Sequence, residues 1–219
     1  ELAGKRRPVA LFDWFVYASF AIYFSRAFFP SGNQTTQLLN SALVFTVGFL
    51  ARPLGAWLMG RHADRAGRRA ALTLSVTMMC SASLLIAVLP ANLGVTSTAL
   101  LVLARIIQGI SVGGEYGASA TYLSEMASRS TRGFWSGVYF STLIAGQLAA
   151  VLLQLLLQAL LSETQLYAWG WRIPFAVGAL LALVVFWIRR GIDETRSFEL
   201  ESAGAGARST GWRLITQYP

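Results

Sequence analysis

The stretch Gly60-Arg61-His62-Ala63-Asp64-Arg65-Ala66-Gly67-Arg68-Arg69 is a short, densely charged run between two apolar segments. Residues 38–60 before it and 70–89 after it carry almost no charge, and Arg52 is the exception. Apolar segments of this length are typical of transmembrane helices, and short basic loops between them face the cytoplasm. The run is therefore predicted to be a tight cytoplasmic turn, in which Gly60 and Gly67 relieve crowding of the backbone and Asp64 pairs with an arginine.

The composition of the 219 residues is that of an integral membrane protein. Hydrophobic residues make up 55% of the chain and charged residues only 13%, whereas about a quarter of a soluble domain is charged. The net charge of +8 does not indicate nucleic-acid binding, because the basic residues lie between apolar segments and not on one polar face. Cys80 and His62 are each the sole residue of their type, which predicts neither a disulfide framework nor a metal cluster.

Six apolar segments predict an all-α membrane protein with six transmembrane helices. They cover residues 9–29, 38–59, 70–89, 97–125, 134–161 and 169–190. Together they would form one membrane domain over residues 1–190. Residues 191–219 turn polar and rich in glycine, alanine and serine, and they are expected to begin a cytoplasmic linker.

The distribution of lysine and arginine predicts the orientation of these helices. The segment before helix 1, the loops after helices 2 and 4, and the end of helix 6 are basic, whereas the opposite side carries only Arg26 and Arg172. Basic loops stay in the cytoplasm, so both chain ends are predicted to be cytoplasmic. An even number of spans follows, and Trp169 and Trp171 lie where aromatic anchors at the membrane interface are expected.

Four charged residues are predicted to lie inside the membrane: Asp13 on helix 1, Arg52 on helix 2, and Arg105 and Glu115 on helix 4. Charges in a bilayer are unfavourable unless they face a cavity or a partner. Arg52 is about nine residues, or roughly 14 Å, from the charged run, which places it near the bilayer midplane. Two arginines at this depth imply an anionic substrate or counter-ions for Asp13 and Glu115. A structural ion pair is the alternative.

Helix 4 also carries a glycine repeat, formed by Gly109, Gly113 and Gly117. Glycines at every fourth position lie on one helix face and let another helix backbone approach closely. Their predicted role is therefore helix packing. Arg105, Gln108, Glu115 and Ser119 lie on a neighbouring face at helical spacing.

The charged run resembles the signature loop of the major facilitator superfamily, and Arg105-x-x-Gln108-Gly109 matches a second signature on helix 4. Segments similar to the metabolite:proton symporter branch of that superfamily occur at 12–13, 48–55, 113–117, 122–125 and 169–175. Segments 28–33 and 118–122 resemble the members of that branch that carry α-ketoglutarate. The resemblance implies two inverted three-helix repeats that form the N-terminal half of a twelve-span transporter.

The function implied by this resemblance is proton-coupled uptake of a small carboxylate, first of all α-ketoglutarate, across the bacterial inner membrane. Citrate, shikimate and a zwitterionic osmolyte such as proline are alternative substrates. A non-transporting membrane fragment or a structural six-helix bundle is the alternative from another class. The expected partners are lipid, substrate, protons and a second six-helix half, with the proton gradient as energy source and no cofactor. The sequence shows no nucleotide loop and no nucleophile–base pattern, so an enzyme is not expected.

Residue roles follow from the buried charges and from the resemblance. The predicted substrate-binding side chains are Tyr17, Arg52, Arg105 and Gln147. Proton coupling is assigned to Asp13, with Arg105 as its counter-ion, and to Glu115. The predicted cytoplasmic gate motif comprises Gly60, Asp64, Arg65, Gly67, Arg68, Glu125, Arg129 and Arg132. One departure concerns helix 1, where residues 7–11 replace a longer family segment that contains an acidic residue.

Overall fold

The computed structural model describes residues 8–91, 93–126 and 132–189, with side chains for 12–67, 70–91, 93–115 and, apart from five positions of the fifth helix, 133–187. The helices are α1 (Pro8–Phe28), α2 (Gln34–Ala66), α3 (Arg68–Val88), α4 (Val95–Met126), α5 (Arg132–Leu160), the single turn α6 (Glu163–Gln165) and α7 (Arg172–Arg189). A π-helical turn, Leu166–Gly170, joins α6 to α7. The described residues contain no strand, so the predicted all-α class is confirmed. The linker predicted at 191–219 lies outside them.

Length and hydropathy identify several membrane spans in the described part of the chain. Three helical segments are long and apolar enough to cross a bilayer: Gln34–Ala66, Ala70–Val88 and Val95–Glu115. The pair Glu163–Gly170 and Arg172–Trp187, bent by 49°, counts as a fourth if it forms one broken span. The chain is therefore a multi-pass membrane protein, although these criteria identify fewer spans than the six that the sequence predicts.

The charged run at residues 60–69 is helical almost throughout, which corrects the prediction of a tight turn over its whole length. α2 contains 33 residues, or about 50 Å of helix, which exceeds the roughly 30 Å of a hydrocarbon core and lets its polar end continue as helix. Only Gly67 separates α2 from α3. Its φ of 93° is a conformation that favours glycine, so the prediction for Gly67 is confirmed. Gly60 lies inside the helix, where an added Cβ would have nothing within 4 Å, so the prediction for Gly60 is wrong.

The tightest helix contact joins α2 and α4 through glycines on both sides. A Cβ at Gly109 would overlap the carbonyl oxygen of Gly48, and a Cβ at Gly113 would overlap that of Arg52. In the opposite direction, a Cβ at Gly55 would overlap the backbone of Ile110. The packing role predicted for Gly109 and Gly113 is therefore confirmed, with α2 as the partner. The surroundings of Gly117 lie outside the described side chains.

Polar groups tie α1, α3 and α4 to their neighbours at buried and partly buried positions. Ser75 Oγ donates to the carbonyl oxygen of Ser111 at 2.9 Å, and Ser111 Oγ donates to that of Ser75 at 2.7 Å, which links α3 to α4 in both directions. Gln158 Nε2 of α5 donates to the hydroxyl of Tyr23 on α1 at 2.7 Å. Hydrogen bonds of this kind complement van der Waals packing where lipid offers no partners.

The segment predicted as the start of helix 6 is a bend between two helical pieces. The π-helical turn ends at Gly170, and α7 begins at Arg172, whose NH1 donates to the carbonyl oxygen of Ala87 near the end of α3 at 3.1 Å. Trp171 is only 1% exposed because its indole packs against Phe24 and Phe28 of α1. The prediction that Trp171 anchors the membrane interface is therefore wrong, whereas Trp169 is 48% exposed and stays a candidate.

Candidate functional site

Two arginines from different helices meet around the indole of Trp14. The guanidinium carbon of Arg52 on α2 lies 3.9 Å from the centroid of the Trp14 ring, and that of Arg105 on α4 lies 5.9 Å from it. The glycine contacts between α2 and α4 place these arginines side by side, since the Arg52 carbonyl lies against Gly113 and the Arg105 carbonyl lies against Gly48. The structure thus brings together the two arginines that the sequence predicted as substrate-binding residues.

Arg105 is the more deeply placed of the two. Its side chain is fully buried, and its guanidinium carbon lies 3.6 Å from the ring centroid of Tyr17, a distance typical of cation–π contact. None of its three side-chain nitrogens has a hydrogen-bond partner among the described residues. Tyr17 is held in turn by its hydroxyl, which donates to the carbonyl oxygen of Ser41 on α2 at 3.0 Å. The cluster therefore contains a buried cation whose planar donors are not used.

Asp13 is fully buried within Coulombic range of Arg105, but its hydrogen bonds go elsewhere. Its Oδ2 accepts from the hydroxyl of Ser83 on α3 and from Nε2 of Gln108 on α4 at 3.3 Å. Arg105, its predicted counter-ion, interacts with Asp13 through Coulombic attraction but makes no hydrogen bond to it among the described residues. The physical reason is helical register. Gln108 lies about one turn from Arg105 along α4, and this position brings its side-chain amide, instead of the guanidinium, within hydrogen-bonding distance of Asp13.

The other predicted residues whose side chains the structure describes lie apart from this cluster. Gln147 is exposed on α5, and Glu115 is buried on α4 roughly 15 Å along the helix from Arg105. Asp64 and Arg65 are exposed near the end of α2. Arg129 lies outside the described residues, and so do the side chains of three more gate residues: Arg68, Glu125 and Arg132.

Three residues of the cluster are not among those that the sequence predicts. Trp14 directly follows Asp13, and this position beside a buried charge was its only signal. Ser83 is one of several serines in α3, and nothing in the sequence distinguishes it. Gly178 stands in an apolar stretch of α7, yet a Cβ there would overlap Oδ1 of Asp13. The helix contacts alone reveal these last two.

A family model described as "Sugar (and other) transporter" matches residues 9–210. The chain belongs to this transporter family. The curated relatives of the chain are transporters, in agreement with the prediction that it is not an enzyme.

Two curated relatives of this family member cover almost all of the chain. It is 51% identical over 214 residues to the "Alpha-ketoglutarate permease" of Escherichia coli, a match that covers 96% of this chain and 50% of that protein. It is 34% identical over 213 residues to the "Citrate-proton symporter" of Salmonella typhi, with 94% and 49% of the two chains covered. The chain spans about half the length of the curated relatives that it matches.

Solved structures of transporters share the fold. The inward-open xylose transporter of Escherichia coli superposes with a TM-score of 0.75 at 20% identity, covering 98% of this chain and 51% of that chain. A second structure, described as a proton:xylose symporter of the major facilitator superfamily, gives a TM-score of 0.74 at 19% identity and covers 91% of this chain and 46% of that chain. The described helices therefore have the arrangement of about half of a major facilitator transporter.

Proposed function

We propose that this chain forms the six-span N-terminal half of a proton-coupled symporter for small carboxylates, with α-ketoglutarate as the substrate. The observation that carries the proposal is the convergence of Arg52 and Arg105 on the buried Trp14 ring. The 51% identity to an α-ketoglutarate permease supports the choice of substrate.

The two arginines suit a dicarboxylate because of their geometry. A guanidinium is planar and offers a fork of donors in its plane that matches a carboxylate, so stacking on an aromatic ring leaves those donors available. Arg52 stacks on Trp14, and Arg105 stacks on Tyr17. Arg105 has buried donors that make no hydrogen bond, and such donors are stabilised by an acceptor. We therefore assign the main contact with a substrate carboxylate to Arg105. Gln147 on α5 is retained as a weaker candidate, since its exposed side chain lies outside the cluster.

Asp13 takes up and releases the coupled proton in this proposal. It is a fully buried carboxylate close to the arginines, and the Coulombic attraction between Asp13 and Arg105 acts without a direct hydrogen bond. Binding of a substrate anion to Arg105 would weaken that attraction, which links substrate and proton. Glu115 is the second candidate for the proton. The energy source is the proton gradient, and the proposed step requires no cofactor.

The proposed transporter has six spans here, arranged as two inverted three-helix repeats, and alternates access by rocking against a second six-helix half. Its chain ends are cytoplasmic in the bacterial inner membrane, as the basic loops indicate. The gate motif around Asp64 and Arg65 closes the cytoplasmic side together with Arg68, Glu125, Arg129 and Arg132. The linker that begins near residue 191 joins the halves.

Uptake by the assembled halves tests this function. The chain is produced together with the second half of the Escherichia coli α-ketoglutarate permease, here named the paired transporter, and reconstituted in liposomes with an inward proton gradient. We expect labelled α-ketoglutarate to accumulate only with both halves and the gradient, and Asp13→Asn to abolish the response to the gradient. Citrate, shikimate and proline are added as competitors.

Three results would contradict the proposal. Accumulation that is insensitive to the proton gradient would contradict symport. Gradient-driven accumulation with Asp13→Asn would contradict the role of Asp13 and assign the coupled proton to Glu115. Stronger competition by citrate, shikimate or proline than by unlabelled α-ketoglutarate would show that the stronger competitor is the preferred substrate.

A further inference from the structure

We propose that Ser83 and Gly178 are positioning residues for the proton step: together they hold the Asp13 carboxylate in a cradle formed by α3 and α7, and they set the pH range over which it exchanges its proton. The inference rests on the proposed function, because it assigns supporting residues to the proton carrier proposed there. The observations that support it are contacts of Asp13 with α3 and α7, two helices that contribute no charge to the site.

The hydroxyl of Ser83 lies between Gln108 and Asp13. Gln108 Nε2 donates to Ser83 Oγ at 3.0 Å, and it also donates to Asp13 Oδ2 at 3.3 Å. When Asp13 is ionised its carboxylate only accepts, so in that state the single proton of the Ser83 hydroxyl is donated to Asp13 Oδ2. The three side chains form a closed triangle, in which Ser83 supplies a donor to the charged form of Asp13.

Gly178 bounds the other side of the carboxylate. Asp13 Oδ1 has no hydrogen-bond partner among the described residues and occupies the space that a side chain at position 178 would fill. Any residue other than glycine there would push the carboxylate away from α7. Glycine at this position is therefore required for the observed place of Asp13 and for the close approach of α7.

The cradle also links Asp13 to the relative position of two helices. Cys80 lies about one turn before Ser83 on α3, and its Sγ donates to the carbonyl oxygen of Ala179, the neighbour of Gly178, at 3.4 Å. α3 and α7 thus contact each other at the level of Asp13. A shift of α7 along α3 would change the donors and the space around the carboxylate, which connects helix movement to proton exchange.

Few other ionisable groups surround this cradle among the described residues. α4 contributes Arg105, α2 contributes Arg52 across the Trp14 ring, and α1 contributes the Tyr17 hydroxyl. α3 contributes the Cys80 thiol. The sequence of α7 between Arg172 and Arg189 contains no titratable residue. Effects of substitutions at Ser83 or Gly178 on the titration of Asp13 therefore come from hydrogen bonding and space, since neither change alters a charge.

An infrared pH titration of the 219-residue chain in liposomes tests the cradle without any substrate. The protonated-carboxyl signal that disappears with Asp13→Asn reports the proton on Asp13. Loss of one hydrogen bond to a charged group corresponds to a shift of about one to two pH units, so we expect Ser83→Ala to move the titration midpoint by about that much. Gly178→Ala is expected to move it as well. The matched control is Ser81→Ala on the same helix, because Ser81 is exposed and its hydroxyl donates only to the Met78 carbonyl oxygen.

The outcomes separate a positioning role from a structural one. The proposal stands if Ser83→Ala shifts the midpoint, Ser81→Ala does not, and Ser83→Thr, which keeps the hydroxyl, restores it. It is overturned if Ser83→Ala leaves the midpoint unchanged, if Ser81→Ala shifts it equally, or if no titrating signal is lost with Asp13→Asn. If Gly178→Ala does not fold, the Ser83 variants decide. Failed uptake with the expected titration would contradict the transport function alone.

Discussion

Among the described residues, the contact between α2 and α4 and the outer face of α5 are packed in opposite ways. At the α2–α4 contact, a Cβ on Gly55, Gly109 or Gly113 would overlap the backbone of the opposite helix. On α5, a Cβ added at Gly137 would have nothing within 4 Å. The same helix exposes large apolar residues: Phe134, Phe140, Ile144, Leu148 and Leu152.

The glycine contact, and not α5, fixes the geometry of the site. At this contact the two backbones touch with no side chain between them, so α2 and α4 hold the backbones of Arg52 and Arg105 in a fixed relation. α5 instead reaches α1 through long side chains, in the hydrogen bonds of Gln154 to the Ser19 carbonyl and of Gln158 to Tyr23. Its outer face suits lipid or another helix. The rigid contact is therefore the one that positions the two arginines, and the adaptable contact is the one between α5 and α1.

The largest effect is expected at the glycine contact. Gly113→Leu forces a side chain into the backbone of Arg52 and should reduce the free energy of unfolding by about 3 kcal/mol or more, at or beyond the upper end for overpacked cores. Gly137→Leu on α5 makes the same change where space is open, and should alter stability by less than about 0.5 kcal/mol. Unfolding of both variants in mixed micelles measures the difference. Equal destabilisation would contradict the contrast between the two regions.

A smaller effect is expected where α5 meets α1. Gln158→Leu removes the 2.7 Å hydrogen bond to the Tyr23 hydroxyl, and interhelical hydrogen bonds in membrane proteins contribute about 0.6 kcal/mol on average. The same unfolding assay should therefore record a loss of that size. The matched change is Ser75→Ala, which removes one of the reciprocal α3–α4 hydrogen bonds. A loss above about 2 kcal/mol for Gln158→Leu would show that the α5 contact is as demanding as the glycine contact.

The membrane class, the all-α fold and the glycine packing of α4 could be predicted from the sequence, because each has a strong local signal. Apolar segments reveal helices, and Gly109 and Gly113 recur at helical spacing. The end of α2 could not be predicted as well, since the residues from Arg61 to Ala66 are compatible with both a polar turn and an extended helix. The structure shows that the helix ends at Gly67.

The composition of the site was only partly predictable for a different reason. Buried charges such as Asp13, Arg52 and Arg105 stand out in apolar helices, because they are unfavourable there. Their partners do not stand out, since Ser83 and Gly178 are ordinary residues for a membrane helix and acquire a role through contacts between distant segments. The same holds for Trp171, whose position near a helix end suggested the interface although α1 buries it.

The most direct test of the central claim is substrate binding by arginine variants of the paired transporter. Arg52 and Arg105 are each changed to lysine and to glutamine, and the equilibrium affinity for labelled α-ketoglutarate is measured, with Arg26→Gln as the control because Arg26 is an exposed arginine near the end of α1. Loss of a hydrogen bond to a charged group corresponds to roughly 10- to 100-fold in affinity. We expect Arg52→Gln and Arg105→Gln to weaken binding by that factor, lysine to restore it incompletely, and Arg26→Gln to leave it unchanged. Unchanged affinity in all four variants at Arg52 and Arg105 would contradict their assignment as substrate-binding residues.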